Sequence, residues 1–293
     1  MANKLTICGD LSASGNIYGT IPGDNHVNTN CGTANTWSGC DTFNSVQAAA
    51  TMNTGYGYHV LCDLTTGCRN AGFGTRALQS NTTASFNTAT GHDSLYNNTT
   101  GAENTASGTY SLYNNTTGAF NTAVGKGALD ANTTASKITA IGTNALGANT
   151  TGPYNTATGF SALYSNTTGC YNTASGYTNL YYNTTGCFNA AHGGAALAYN
   201  TTGCHNAASG SHALLKNTTG SYNTAIGRLA SCGNTTASYN TSVGACALAA
   251  SSTGSHNTAS GYGALQSNTT GSYNSAHGVW ASYNNTTGLY NVA

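Results

Sequence analysis

The stretch Asn155-Thr-Ala-Thr-Gly-Phe-Ser-Ala-Leu-Tyr-Ser-Asn-Thr-Thr-Gly-Cys-Tyr171 runs directly into Asn172-Thr-Ala-Ser-Gly, so the same opening returns after 17 residues. On both sides of this stretch Asn recurs at that step, from Asn53 to Asn121 and again from Asn155 to Asn291. The one gap, Ile138, sits within Lys137-Ile-Thr-Ala-Ile-Gly142 and keeps the register. Residues 53–290 hold fourteen full repeats, and Asn291 opens a fifteenth. Numbering the unit from its Asn, place 5 is Gly throughout, as at Gly159, Gly176, Gly193 and Gly210. An invariant Gly marks a positive φ or the close approach of a neighbouring backbone. Place 9 is Leu in most repeats, as at Leu163, Leu180 and Leu197, with Ser231 and Ser282 as exceptions.

One Leu per unit cannot form a helical stripe, which needs three or four apolar residues per two turns. Two Gly per unit with abundant Thr and Asn also disfavour helix, whereas Tyr222-Asn-Thr-Ala-Ile226 between turn residues suits a strand. A second strand is expected through the Ala-Leu-x-x-Asn-Thr-Thr segment. The expected fold is therefore all-β, a parallel β-solenoid or β-roll with 17-residue coils, in which equivalent places stack about 4.8 Å apart. Fourteen coils make a rod roughly 67 Å long.

Stacking accounts for the composition. Ladders of identical Asn, Thr or Tyr pair with their copies above and below, whereas identical charges would repel. Lys plus Arg number 7 and Asp plus Glu number 7, so charged residues make up only 5% of the chain. A net charge of zero lacks the basic stripe that nucleic acid requires. No apolar run approaches a membrane span or a signal h-region, which implies synthesis in a cytosol without a signal peptide.

Residues 1–52 fall outside the register and are expected to cap or attach the stack. Leu5-Thr-Ile7, Leu11-Ser-Ala13 and Asn16-Ile-Tyr18 look like short strands, and Trp37 with Phe43 could plug the open coil. At the other end the fifteenth repeat stops at Ala293. An open coil end is expected to be covered, by a stacked second chain or by a downstream domain.

A single Leu per coil is thin apolar content, so burial between chains is expected. A candidate face is place 17, occupied by Tyr154, Tyr171, Phe188, Tyr222 and Tyr239 among others. Strand alternation sets this aromatic and the Thr at place 2 opposite the near-constant Ala at place 3. Which face is interior is left open at this level.

Asn223-Thr-Ala-Ile-Gly227, Asn121-Thr-Ala-Val-Gly125 and Asn240-Thr-Ser-Val-Gly244 resemble the head repeats of YadA-type trimeric adhesins. The Asn-Thr-Thr-Gly tracts are similar to repeats in phage and large-virus tail or surface fibres, and Leu11-Ser-Ala-Ser-Gly-Asn-Ile17 resembles openings of such proteins. The resemblance implies a left-handed, homotrimeric β-roll and a structural shaft on a virion or extracellular fibre that contacts a host-surface glycan or receptor. The fibre repeats that it resembles often precede a self-cleaving chaperone domain. The coil here is longer than is usual in the bacterial heads. Alternatives are a self-assembling extracellular filament subunit, a bacterial adhesin head and an ice-binding protein, since solenoids can present flat Thr arrays.

No catalytic set emerges, and no cofactor or metal site is expected. Twelve Asn-Thr-Thr triplets fit the N-glycosylation pattern, but they recur because the fold repeats. Cys170, Cys187 and Cys204 share place 16 in successive repeats, as Cys68 does earlier, and are expected to be free thiols at a spacing that would permit a disulfide. Cys62 with Cys68, and Cys31 with Cys40, lack the C-x-x-C spacing of zinc sites. His192 and His277 share place 4, His205 and His256 replace the aromatic, and His92-Asp93 occurs in one repeat only. All read as tolerated polar substitutions.

Overall fold

The computed structural model describes residues 27–30, 35–47 and 49–293. The expectations for Leu5 to Tyr18 and for Cys31 lie outside the described residues. Strands β1 (Val27–Asn30) and β2 (Asn35–Ser38) pair antiparallel. From β2 onward one parallel sheet runs through β3 (Thr54–Tyr56) to β16 (Ser275–His277), with each strand bonded to the next in sequence order. Pairing joins identical places, for example Thr156↔Thr173 and Ala157↔Ala174. The chain is an all-β parallel solenoid with one coil per 17-residue repeat. The stack begins one coil before residue 53, because Thr36 pairs with Thr54. There Phe43 is buried in the core, and its ring lies 5.2 Å from that of the partly buried Trp37.

Each strand spans places 2 to 4 and alternates as its sequence does, with the middle Ala buried and its neighbours turned outward. Asn at place 1 and Leu at place 9 are buried with Ala, which settles the sidedness: Leu163, Leu180 and Leu197 are fully enclosed, and the place-17 aromatics face out.

The expected second strand is absent. The segment through Ala-Leu-x-x-Asn-Thr-Thr is a succession of turns, although its amides still bond to the next coil, as in Leu95 N–H to Ser111 O at 3.0 Å and Thr99 N–H to Thr116 O at 3.0 Å. Its φ angles explain the difference. Asp93 and Leu95 have φ of 57° and 51°, and every repeat carries positive φ at places 7, 9 and 17. These left-handed residues fold the chain inward around a narrow coil and aim Leu at the axis. Such a conformation is costly for L residues and persists only where neighbours determine it. Here each coil is held by the two beside it.

Gly91 shows why place 5 is invariant. Its φ is 128°, and a Cβ there would lie 2.8 Å from the carbonyl carbon and oxygen of Gly108 in the next coil.

Two columns of buried Asn complete the interior. At place 1, Asn104 N–H donates to Asn87 Oδ1 at 2.9 Å, and Asn104 Nδ2 donates to Gly118 O at 2.9 Å. At place 12, Asn98 Nδ2 donates to Asn81 Oδ1 at 2.8 Å and to Gly101 O at 2.9 Å. Burying amides in a coil this thin is tolerable because nearly all of their hydrogen-bonding groups are paired, along the axis or within the coil; Asn234 Oδ1 is an exception.

Candidate functional surface

The place-17 residues sit at a corner of the coil, where φ near +60° swings each side chain out of the strand plane. From Tyr154 to Tyr290 the column is unbroken: Tyr154, Tyr171, Phe188, His205, Tyr222, Tyr239, His256, Tyr273 and Tyr290. Tyr154 and Tyr171 have centroids 4.7 Å apart, Tyr171 and Phe188 4.9 Å, and Tyr222 and Tyr239 5.0 Å with planes within 1° of parallel. His205 fits between Phe188 and Tyr222 with centroids 4.9 and 4.8 Å away, so the two His substitutions preserve the stack. Phe188 and Tyr222 are each 50% exposed. Ring faces are covered by neighbouring rings, so the surface offered is a strip of ring edges and phenolic hydroxyls.

Before Tyr154 the same column alternates rings with charge. Arg69 lies over the Phe86 ring at 5.1 Å, and Lys137 lies over Tyr154 at 5.1 Å. Shorter aromatic pairs line the turn side, including Tyr96 with Tyr113 at 5.2 Å and Tyr182 with Tyr199 at 5.2 Å. Tyr181, Tyr182, Tyr199 and His212 border a shallow depression of about 360 Å³.

The other candidate residues occupy varied settings. The Asn residues of the Asn-Thr-Thr triplets from Asn81 to Asn268 are fully buried, and their Nδ2 groups are spent on the ladder or on a carbonyl of their own coil. A glycan on Asn98 or Asn115 would take a hydrogen that the interior uses. His192 and His277 face outward from the strand surface, 85 residues apart in the sequence and five coils apart in the stack. Among the described residues no three His, Cys, Asp or Glu side chains come together as a metal site. His92 and Asp93 do meet: His92 Nδ1 is 3.0 Å and Arg76 Nη2 2.6 Å from Asp93 Oδ2, with the carboxylate buried. This cluster joins the left-handed place 7 of two coils. Its Arg76 partner, one repeat earlier at the same place, is legible only once the coil register is known. Cys170, Cys187 and Cys204 form one half-buried column of free thiols. Burial, then the hydrogen bond with Cys187, pushes the Cys170 thiol from an ordinary 9.0 up to about 11.

Fold and surface define a tandem-repeat β-solenoid with an external aromatic ladder. No known protein family, curated protein or solved structure matches the chain.

Proposed function

We propose that the chain is the shaft of a structural fibre, of viral or phage type, that self-associates along its aromatic ladder as a homotrimer and holds a host-attachment element away from the particle. The observation that carries this reading is the unbroken, half-exposed ring column from Tyr154 to Tyr290, on a stack whose every coil is rigidly bonded to the next. Half of an aromatic surface of about 150–250 Å² on each of the seven Phe and Tyr rings amounts to roughly 500–900 Å² per chain, to which His205 and His256 add. A stable interface needs about 800 Å² per partner. Ring edges laid against a second chain would supply the apolar burial that one Leu per coil does not.

The ice-binding alternative loses one of its Thr rows. Place-13 hydroxyls already donate to the next coil, as Thr99 Oγ1 does to Thr116 O at 3.1 Å.

Sedimentation together with electron microscopy tests the proposal. The expected result is straight rods with a mass three times 29.5 kDa. A chain that stays monomeric at high concentration overturns it.

A further inference from the structure

Where place 16 is Ser or Cys, as from Cys187 to Ser272, its side chain accepts a hydrogen bond from the backbone N–H of the same place in the preceding coil. Ser238 Oγ serves Ser221 N–H at 3.0 Å, and Ser221 Oγ serves Cys204 N–H at 3.0 Å. In two successive steps sulfur is the acceptor, Cys187 Sγ for Cys170 N–H at 3.0 Å and Cys204 Sγ for Cys187 N–H at 3.2 Å. These bonds align the side chains in one column, and Cys170 Sγ lies 2.9 Å from Cys187 Sγ. That is less than an ångström beyond a disulfide bond of about 2.05 Å. Adjacent coils stand about 4.8 Å apart, inside the Cα separation of roughly 4.4–6.8 Å that a disulfide spans. Two coils stand about 9.6 Å apart, outside it. All three thiols are partly solvent-accessible.

We infer that Cys170, Cys187 and Cys204 form an oxidation site that takes up one intrachain disulfide, with Cys187 obligatory and either Cys170 or Cys204 as its partner. The oxidant is a low-molecular-weight disulfide. The Cys187 thiolate attacks one of its sulfurs, forming a mixed disulfide and releasing one small thiolate. Cys170 or Cys204 then attacks Cys187 Sγ, giving up its proton to solvent and releasing the second small thiolate. Two protein thiols are oxidised, and one disulfide is reduced to two thiols. The third cysteine remains a thiol one coil from Cys187, placed to displace its neighbour by the same exchange. The product staples two coils in mid-shaft through a closed loop of 17 residues.

The chain suits a direct test, because cleavage at Lys137 and Lys216 isolates one peptide holding these three cysteines and no other. Purified protein is incubated with glutathione disulfide, the remaining thiols are alkylated, and the peptide is weighed. Chymotryptic cuts at Tyr171 and Phe188 then separate the three sulfurs for assignment. Wild type is expected to lose two hydrogens and to alkylate once. Cys170→Ser and Cys204→Ser each retain one disulfide, through Cys187–Cys204 and Cys170–Cys187 respectively. Cys187→Ser drops from one disulfide per chain to none and alkylates twice. Serine is the residue that the next four coils beyond Cys204 use at this place, from Ser221 to Ser272, so the variants keep the hydrogen bond, and unchanged circular dichroism verifies the fold. The inference is overturned if Cys187→Ser still joins Cys170 to Cys204. It is equally overturned if wild type keeps all three thiols under oxidant that converts an exposed dithiol peptide.

Discussion

Asn234 is an interrupted link in a buried chain: its Nδ2 donates to Asn217 Oδ1 at 2.7 Å, but its own Oδ1 is buried without a donor, because the next residue in the column is Ser251. Serine is too short to reach back. Ser251 Oγ turns instead to Gly254 O in its own coil, at 3.4 Å. One coil on, Asn268 Nδ2 keeps its bond to Gly271 O but has no column partner to donate to.

Ser251→Asn should therefore stabilise the chain. The new amide would donate to Asn234 Oδ1 and accept from Asn268 Nδ2, closing the column. A buried unsatisfied acceptor costs about 1–3 kcal/mol, so a gain of about 1–2 kcal/mol is expected after the entropy of ordering the longer side chain. Thermal and urea midpoints measure it, and an unchanged or lowered midpoint would refute the ladder account.

Glycine at place 5 and glycine at place 6 should respond in opposite ways. Gly91→Ala puts a Cβ against the Gly108 carbonyl at a φ of 128°. The combined strain and clash should cost at least about 3 kcal/mol. A Cβ at Gly194 meets nothing within 4 Å. Gly194→Ala should be neutral or stabilising by up to about 1 kcal/mol through the unfolded chain. Equal effects at the two sites would contradict the stacking geometry.

Leu180→Ala empties the fully buried place 9 of one coil. A loss of about 2–5 kcal/mol is expected. Because each coil touches only its neighbours, the damage should be local. Amide hydrogen exchange should accelerate most in the coils of Leu163, Leu180 and Leu197 and leave the coil of Leu95 protected. Uniform acceleration along the rod would count against nearest-neighbour stability.

Much of this architecture was legible because a 17-residue period without insertions admits few folds, and Gly91 and its equivalents signalled close backbone approach. The lost second strand was not legible. Leu95 has no sequence mark of its φ of 51°, since only glycine announces a left-handed position and here the stacked neighbours impose it. The interior role of Asn98 and its equivalents was hidden by their glycosylation-like Asn-Thr-Thr context. Ser231 read as an exception to the Leu row, but its reason lies in another coil: Ser231 Oγ donates to Ser242 Oγ at 2.9 Å, pairing two buried hydroxyls where Leu and Ala stand elsewhere. Such compensations involve residues in different coils and become visible only when the coils are superposed.

The Cys170 thiol supplies a pH signature. Its folded value is raised from 9.0 to about 11, by burial first and then by Cys187. Between these values the folded chain retains a proton that the unfolded chain has released, so the thiol's contribution to stability is whole below about pH 9 and is lost as pH rises toward 11. Relative to Cys170→Ser, wild type should lose thermal stability across that window and run parallel to it below. A constant difference from pH 8 to 11 would refute the shift.

The sharpest test of the proposed assembly separates the outside of the coil from its inside. Tyr222 and Tyr239 stack with centroids 5.0 Å apart on the outer corner, exposed by 50% and 52%. Neither side chain fills the interior. Replacing both with Ser should cost the isolated coil only the stacking term, about 0.5–1.5 kcal/mol per ring pair. The same change removes from an edge-on interface two adjacent aromatic anchors in the middle of the strip, where truncations typically cost about 2 kcal/mol or more each. The double variant should thus keep its circular dichroism and most of its thermal midpoint while its association weakens by at least about tenfold, a change of about 1.4 kcal/mol. Leu180→Ala should show the reverse order, losing stability before association. Sedimentation across a concentration series distinguishes the two patterns, and a Tyr222→Ser/Tyr239→Ser variant that assembles as wild type does would show that the chains meet on another face.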